Sequence, residues 1–436
     1  MIASPHPNKP PKVISLPNDW LEWHGKQLNI DTSNSTKYDV IFHLFGEQRM
    51  PSLLGVLQFT SKVHVFVNSK KYPAEVMKQF ITDGGFYEIP VDPFDPESVR
   101  TSILRKIEEL PENVRIGFNL TGGTKLMYAG ALNACRNVNA TPFYFDSENN
   151  KVIFLNDFKI ESIKPIDSVE TFIKLNGDDL IITKNGSWED ISNINHPKRR
   201  SLTLKLWQYR SRVAKLYREL CNYNDEKNLK TFDIKNNSAG ISLSLKGNKQ
   251  AEIIFTDRKG EDLRFTFDEW HDFAIYISGG WLEEYTYMLL EPFVSSGHIK
   301  DIRIGLEVSF KEKKKPITQG GNSISDQLSS LLSDQKEFQN TLTDTYQELD
   351  IVFTDGKKLF IIECKAGNTK SDHIMKLDNI VRYFGGIQGK GVLASCFMPN
   401  SNVVKKKIAD AMNLDSVAGR DFSHQLESYI KRITRR

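Results

Sequence analysis

Two short stretches carry the residue types that chemistry needs. The first is Gln347–Lys365. Asp355-Gly356 between two apolar runs reads as a two-residue hairpin loop. Such a loop pairs Thr354 with Lys357, Asp350 with Ile361 and Glu348 with Glu363. Side chains alternate across a strand, so Glu348, Asp350, Glu363 and Lys365 share one face and gather at the hairpin's open end. The opposite face, Leu349, Ile351, Phe353, Phe360, Ile362 and Cys364, is nearly all apolar. Like charges this close call for a compensating cation. Oxygen ligands suit a hard divalent ion, Mg²⁺ or Mn²⁺. Such an ion activates water and stabilises charge on a phosphate, while a neighbouring lysine orients the water or neutralises the oxyanion. A surface strand laced with salt bridges is the competing reading. A further acid is expected from a neighbouring helix, and Gly280-Trp-Leu-Glu-Glu-Tyr285 offers Glu283 and Glu284. They flank the apolar stripe on opposite sides, so the helical wheel does not choose between them. Either alone also reads as a first-turn acid stabilised by the helix dipole.

The second stretch is Asn119-Leu-Thr-Gly-Gly-Thr-Lys-Leu-Met127, which joins a strand to a helix. Gly122 and Gly123 let the backbone approach a ligand, and the helix N-terminus offers free N–H groups to an anion. Thr121 and Thr124 add hydroxyls, and Lys125 adds charge. The spacing is neither that of a P-loop nor that of a dinucleotide fingerprint. A plain tight turn would account for the two glycines but not for the whole string.

The elements around these stretches fall into two halves. Apolar runs at Val40–Phe45, Val63–Val67, Phe86–Val91, Val114–Leu120 and Thr141–Phe145 alternate with helical patterns at Ser52–Phe59, Ala74–Ile81, Pro96–Leu110 and Thr124–Cys135. That alternation predicts an α/β, Rossmann-like domain with helices on both faces of a parallel sheet. Lys151–Leu155 adds a closing strand. Residues 1–156 are thus expected to form the first domain, 157–231 a connector with a helix at Leu202–Leu220, and 232–436 the second domain. Lys205, Arg210, Arg212, Lys215 and Arg218 on the connector helix read first as a solvated face and second as a phosphate contact. In the second domain, strands are expected at Ile241–Leu245, Glu252–Thr256, Leu263–Phe267, Ile302–Phe310, Glu348–Phe353, Leu359–Cys364 and Gly391–Cys396. Helices are expected at Trp281–Leu290, stopped by Pro292, at Lys370–Phe384, and from about Val403. The long polar stretch Lys311–Thr345 has the character of a functional or mobile connection.

The bulk composition permits this plan. The chain has 436 residues, 39% hydrophobic and 26% charged, with 58 basic and 55 acidic side chains for a net charge of +3. That length implies two or three domains, and that balance neither demands nor excludes nucleic acid. The four cysteines form no Cys-x-x-Cys pair, so a disulfide or zinc framework is not expected. The proline-rich start lacks the apolar core of a signal peptide, and no stretch has membrane-helix length. A cytoplasmic, non-membrane location is the expectation.

Asp350 followed by Glu363-x-Lys365 across a hairpin, behind a Trp-Leu-Glu helix, resembles the PD-(D/E)xK nuclease superfamily, with Leu349 in place of the usual proline. The resemblance implies that Asp350, Glu363 and a helix acid bind metal and that Lys365 is catalytic. It favours Glu283 over Glu284. Asn-Leu-Thr-Gly-Gly-Thr-Lys-Leu-Met resembles the CARF domain, the Rossmann-like sensor of CRISPR systems. Gln48-Arg-Met-Pro-Ser-Leu-Leu54 resembles that family's first ligand loop, with Ser52 where asparagine is usual. Together the two halves resemble the CARF-fused ancillary nucleases of type III CRISPR defence, with a restriction-endonuclease-like α/β second domain. What this implies is a homodimer that binds a cyclic oligoadenylate, most commonly cyclic tetra-adenylate, through Gln48, Ser52 and Thr121–Lys125, and then cuts DNA, RNA or both with Mn²⁺ or Mg²⁺. Residues 1–35 and Lys311–Thr345 lie outside the resemblance. Two other readings compete. A ligand-sensing regulator with a non-catalytic second domain would be expected to carry a helix-turn-helix. A ring-opening phosphodiesterase would act on the ligand itself.

Overall fold

The computed structural model describes residues 37–434, apart from 83, 178–179, 187–193, 215–232, 237–240, 247–249, 257–261, 311–345 and 400. The expectations for residues 1–35, the Lys311–Thr345 insert, Lys215 and Arg218 therefore fall outside the described residues. The chain forms two units, Met1–Lys164 and Pro165–Arg436.

In the first unit, β1 (Tyr38–Leu44), β2 (Ser61–Asn68), β3 (Gly85–Pro90), β4 (Ile116–Asn119) and β5 (Ala140–Asp146) pair in parallel. β6 (Lys151–Phe154) and β7 (Ile160–Ser162) extend the sheet antiparallel, giving the order β3-β2-β1-β4-β5-β6-β7. Alternation along β1 divides the core. Val40, Phe42 and Leu44 pack with buried residues of α2 (Pro96–Glu108) and α3 (Lys125–Arg136). His43 turns to the other face, where α1 (Met50–Gln58) lies with its Gly55 against it. This is the expected doubly covered α/β sheet. The pattern read as a helix at Ala74–Ile81 is a 3₁₀ segment, Glu75–Phe80. α2 starts where expected because Asp95 caps it, accepting from the Glu97 and Ser98 N–H groups.

The second unit holds two sheets. An antiparallel sheet has the order β12-β11-β10-β9, with β9 at Asp233–Asn236, β10 at Ile241–Lys246, β11 at Gln250–Thr256 and β12 at Asp262–Phe267. A mixed sheet has the order β17-β16-β15-β14-β13-β8. Its strands are β8 (Leu180–Lys184), β13 (Asp301–Phe310), β14 (Gln347–Thr354), β15 (Leu359–Lys365), β16 (Lys390–Ser395) and β17 (Leu414–Ala418). Between residues 157 and 231, expected as a connector, lie α4 (Val169–Lys174), the edge strand β8 and α5 (Pro197–Gln208). β8 pairs with β13, and Leu202 and Leu206 of α5 join the second unit's core.

After α6 (Trp270–Ile275), α7 (Trp281–Ser295) runs through Pro292, which the sequence reading placed after the helix end. Phe293, one residue on, is buried in the core, and that packing holds the last turn despite the lost N–H. The last segment also differs from expectation. In place of one helix from Val403 there are α9 (Asn402–Asp410), β17 and α10 (Phe422–Ile433). Leu414 and Val417 are buried, so that short strand is specified by packing rather than by a long apolar run.

Candidate functional sites

The hairpin keeps the predicted faces but not the predicted register. Ile351 pairs with Ile362 and Thr354 with Leu359, two residues away from the pairing a two-residue loop would give. The cause is local. Asp355 accepts from the Lys357 and Lys358 N–H groups at 2.8 and 2.9 Å, and Gly356 has φ +91°. This Asx turn makes a four-residue loop. A shift of two preserves the side of every residue, and it brings Asp350 opposite Glu363 rather than Ile361.

The acids converge. Asp350 Oδ2 accepts the Cys364 N–H at 2.7 Å, and the Lys365 ammonium lies 2.6 Å from Glu363 Oε1. Burial and then the charge of Glu363 push the Asp350 carboxyl up to about 7. Burial, then Asp350 and Glu348, push Glu283 well above the usual carboxylate range. Burial alone would lower the Lys365 amine, but Glu363 and Asp350 outweigh it and raise it.

The choice between the two helix acids follows from their partners. Glu284 is buried and takes two hydrogen bonds from the Arg199 guanidinium and one from Thr203 at 3.1 Å. Its carboxylate is used up in the core. Glu283, on the other side of α7, feels Asp350, Glu348 and Lys365. Arg200, next to Arg199 in the first turn of α5, is used up in the same way, pairing with Glu291 at 2.6 Å. Arg210 lies 4.3 Å over the Trp207 ring. Among the described residues, no three acid, histidine or cysteine side chains already stand as a metal-holding group.

In the first unit, a cleft of about 960 Å³ is lined from the carboxyl ends of β1, β2, β3 and β4. Gln48, Lys70, Asp92 and Thr121–Thr124 each contribute from the loop after one of these strands. Open α/β sheets bind ligands there, where the strand order reverses, here between β1 and β4. Both glycines are structurally required. A Cβ on Gly122 would stand 2.0 Å from the Leu44 carbonyl oxygen, and Gly123 has φ +71°. Thr121 Oγ1 accepts the Phe145 N–H at 2.7 Å. Thr124 caps α3, accepting from Met127 N at 3.1 Å. Lys125 stands exposed in the first turn of α3, outside the cleft lining, and Gln48 lines it. Ser52 is not brought to the cleft. It is fully buried, and its hydroxyl donates to the Leu44 carbonyl at 3.2 Å.

Sequence reasoning missed two groups here. Lys70 and Lys71, exposed after β2, line the cleft. Their signal was available: basic residues directly after a parallel strand next to the switch point. The second group lies beneath. Asn119 donates to the Pro51 carbonyl at 2.8 Å and faces His43 Nδ1 at 3.3 Å, while its Oδ1 accepts the Thr121 N–H. His43 Nε2 lies 2.9 Å from His64 Nδ1. An amide donor at Nδ1 assigns the His43 proton to Nε2, so the bonds run in one direction to His64. Burial, then His64, holds His43 well below its usual value, and burial lowers His64 to about 4. This neutral chain ties the first turn of α1 to the loop after β4.

No protein-family model matches the chain, and no curated protein matches it by sequence. Its fold is found in solved structures. Can2 from Sulfobacillus thermosulfidooxidans, in complex with cyclic tetra-adenylate, superposes with a TM-score of 0.61 at 18% identity, over 92% of this chain and 100% of that one. Protein VC1899 from Vibrio cholerae gives 0.60 at 14% identity, over 91% of this chain and 97% of that one. A type III CRISPR defence DNA nuclease activated by cyclic oligoadenylate gives 0.52 at 15% identity. It shares 90% of this chain, which spans 51% of that nuclease. At these identities the likeness establishes the two-part α/β architecture.

Proposed function

We propose that this chain is a nuclease of type III CRISPR antiviral defence, switched on by a cyclic oligoadenylate, with cyclic tetra-adenylate the leading activator. The observation that carries the reading is the convergence of Glu283, Asp350 and Glu363 beside Lys365, in a chain that also carries an anion-suited cleft at a sheet switch point. The fold shared with Can2 bound to cyclic tetra-adenylate and with a nuclease activated by cyclic oligoadenylate supports both halves.

The acid group fits a hard divalent cation. Burial and then repulsion from neighbouring acids make the Asp350 and Glu283 carboxyls resist ionisation, and an added cation would offset that cost. Asp350, Glu363 and Glu283 would hold Mg²⁺ or Mn²⁺, which supplies Lewis acidity toward a phosphodiester. Lys365, held by Glu363, places its ammonium where charge builds on the phosphate in the transition state. In the first unit, Gln48, Thr121–Thr124 and Lys125 bind the ring, and Ser52 shapes the first loop from inside. A homodimer sharing one ring, a DNA or RNA substrate and a cytoplasmic setting complete the proposal. Among the described residues, no helix is long and apolar enough to cross a membrane.

The test is incubation with a panel of cyclic oligoadenylates, Mn²⁺ or Mg²⁺, and mixed DNA and RNA. Cleavage is expected only with ring and metal together, and EDTA should abolish it. Full cutting in EDTA would remove the metal mechanism. Tight ring binding with no cutting of any substrate would favour a regulator.

A further inference from the structure

The exposed side of α8 (Ser371–Gly385) and α9 carries more basic than acidic groups. On α8 itself Arg382 is matched to Asp378, and on α10 Lys431 and Arg432 are matched to Glu427 and Asp415. Among the described residues, Lys370, Lys376, Lys405, Lys406 and Lys407 enter no such pair. The two helices lie next to each other at Lys407, whose Nζ reaches the Met375 sulfur of α8 at 3.7 Å. Asp372 and Asp410 are the exposed acids on the two helices, and the lysines outnumber them.

The face leads to the acid group. The loop from β15 to α8 is pinned beside Lys365: Thr369 Oγ1 lies 3.0 Å from Ser395 Oγ, which reaches the Lys365 carbonyl at 3.4 Å. His373 follows in the first turn of α8. Its Nδ1 accepts the Lys370 N–H at 3.3 Å, which leaves Nε2 as the donor of the neutral ring. Partial burial and then the Lys365 charge lower this imidazole, in keeping with a place next to the acid group.

We infer that the α8–α9 face is the track for the phosphodiester backbone of the substrate, with Lys370, Lys376 and Lys405–Lys407 binding its phosphates and His373 donating to the phosphate nearest the acid group. This rests on the nuclease reading. Lysines without carboxylate partners release counterions when they meet a polyanion, and these stand on the two helices that follow the loop pinned beside Lys365.

The test uses the full chain with Glu363→Ala, so that probes survive, together with cyclic tetra-adenylate. Fluorescent single-stranded DNA and RNA of the same sequence are titrated across a salt series. Replacing Lys405, Lys406 and Lys407 with glutamine should weaken probe binding about tenfold or more, and should reduce the salt slope by roughly 0.7 per lost phosphate contact. Lys376→Gln alone should do the same on a smaller scale, and it serves if the triple variant does not fold. In the otherwise wild-type chain, His373→Gln should retain more cleavage than His373→Phe, because an amide can still donate. A control, Lys431→Gln with Arg432→Gln, should leave the slope unchanged. Folded lysine variants with unchanged affinity and slope would overturn the track, as would an equal effect from the control. If the parent binds neither probe and the wild type cuts nothing with any ring, the nuclease reading itself has failed.

Discussion

The cleft of the first unit and the hairpin of the second both collect polar groups, and they handle charge in opposite ways. Beneath the cleft, every polar atom of the His43–His64–Asn119 chain that the bonds describe has a partner, and burial keeps both rings neutral. At the hairpin, carboxyls face one another, and Lys365 is the cation that Glu283, Asp350 and Glu363 have in common. A satisfied network fixes a shape before any ligand arrives. A frustrated one stores repulsion that a cofactor relieves. On the proposed function, the difference is that between a part that would recognise a ligand and a part that would react with a substrate.

The strongest way to break this comparison is to remove the reacting groups. Glu363→Ala and Lys365→Ala should each lower cleavage by roughly 10²-fold or more, while affinity for cyclic tetra-adenylate changes far less. Calorimetric ring binding and a cleavage assay on the same preparations check this. Wild-type cutting by either variant would remove the hairpin as the active site.

The adjacent acids of α7 sharpen it. Glu284→Ala strands the Arg199 guanidinium in the core and should cost about 3–5 kcal/mol of stability. Glu283→Ala relieves repulsion, so the melting temperature in EDTA should not fall, yet cleavage should be lost. Denaturant unfolding of both variants is the measurement, and equal destabilisation would show that both are structural.

A smaller effect is expected in the cleft. Lys125→Ala should weaken ring binding about tenfold, the scale of one charge-assisted hydrogen bond, with the fold intact because the side chain is exposed. Unchanged affinity would move the ligand's charge contact to Lys70 and Lys71.

The smallest effect concerns pH. The folded pKa of His64, about 4, lies below its unfolded value of about 6.5. Its neutral state therefore favours the fold fully above about pH 6.5, and that contribution is lost as pH falls toward 4. Thermal melts from pH 7 to 4 should fall less steeply for His64→Phe than for the parent. Parallel curves would mean that His64 titrates normally.

The sequence made some of this readable and hid the rest for identifiable reasons. Alternation exposed the acid face, because a strand's period of two survives a register error of two. The register itself depended on the Asp355 side chain turning back on its own loop, which Asp-Gly spacing does not reveal. Glu283 and Glu284 could not be ranked on a wheel, since Glu284's partner Arg199 lies 85 residues away. Ser52 looked like a ligand contact by position, but burial against Leu44 removes it from the cleft. β8, Leu-Ile-Ile-Thr-Lys, was missed although it opens on three apolar residues, because five residues without a period-two alternation are not enough to tell an edge strand from a connector.

That edge strand has a consequence for how the molecule can be divided. β8 covers β13, Ile166 bridges to Gly356, and Thr354 Oγ1 donates to the Ile166 carbonyl at 3.3 Å. A fragment begun at residue 232 would lose these contacts along with Leu202 and Leu206 of the core, and would leave β13 with a bare row of backbone donors and acceptors. Uncovered edges of that kind recruit other chains. A fragment begun at Pro165 keeps the strand and should stay monodisperse in sedimentation, while the shorter one should aggregate. The smallest piece that keeps the mixed sheet whole therefore starts well before the antiparallel sheet, and much of the stretch between the two recognisable motifs is scaffold for the second.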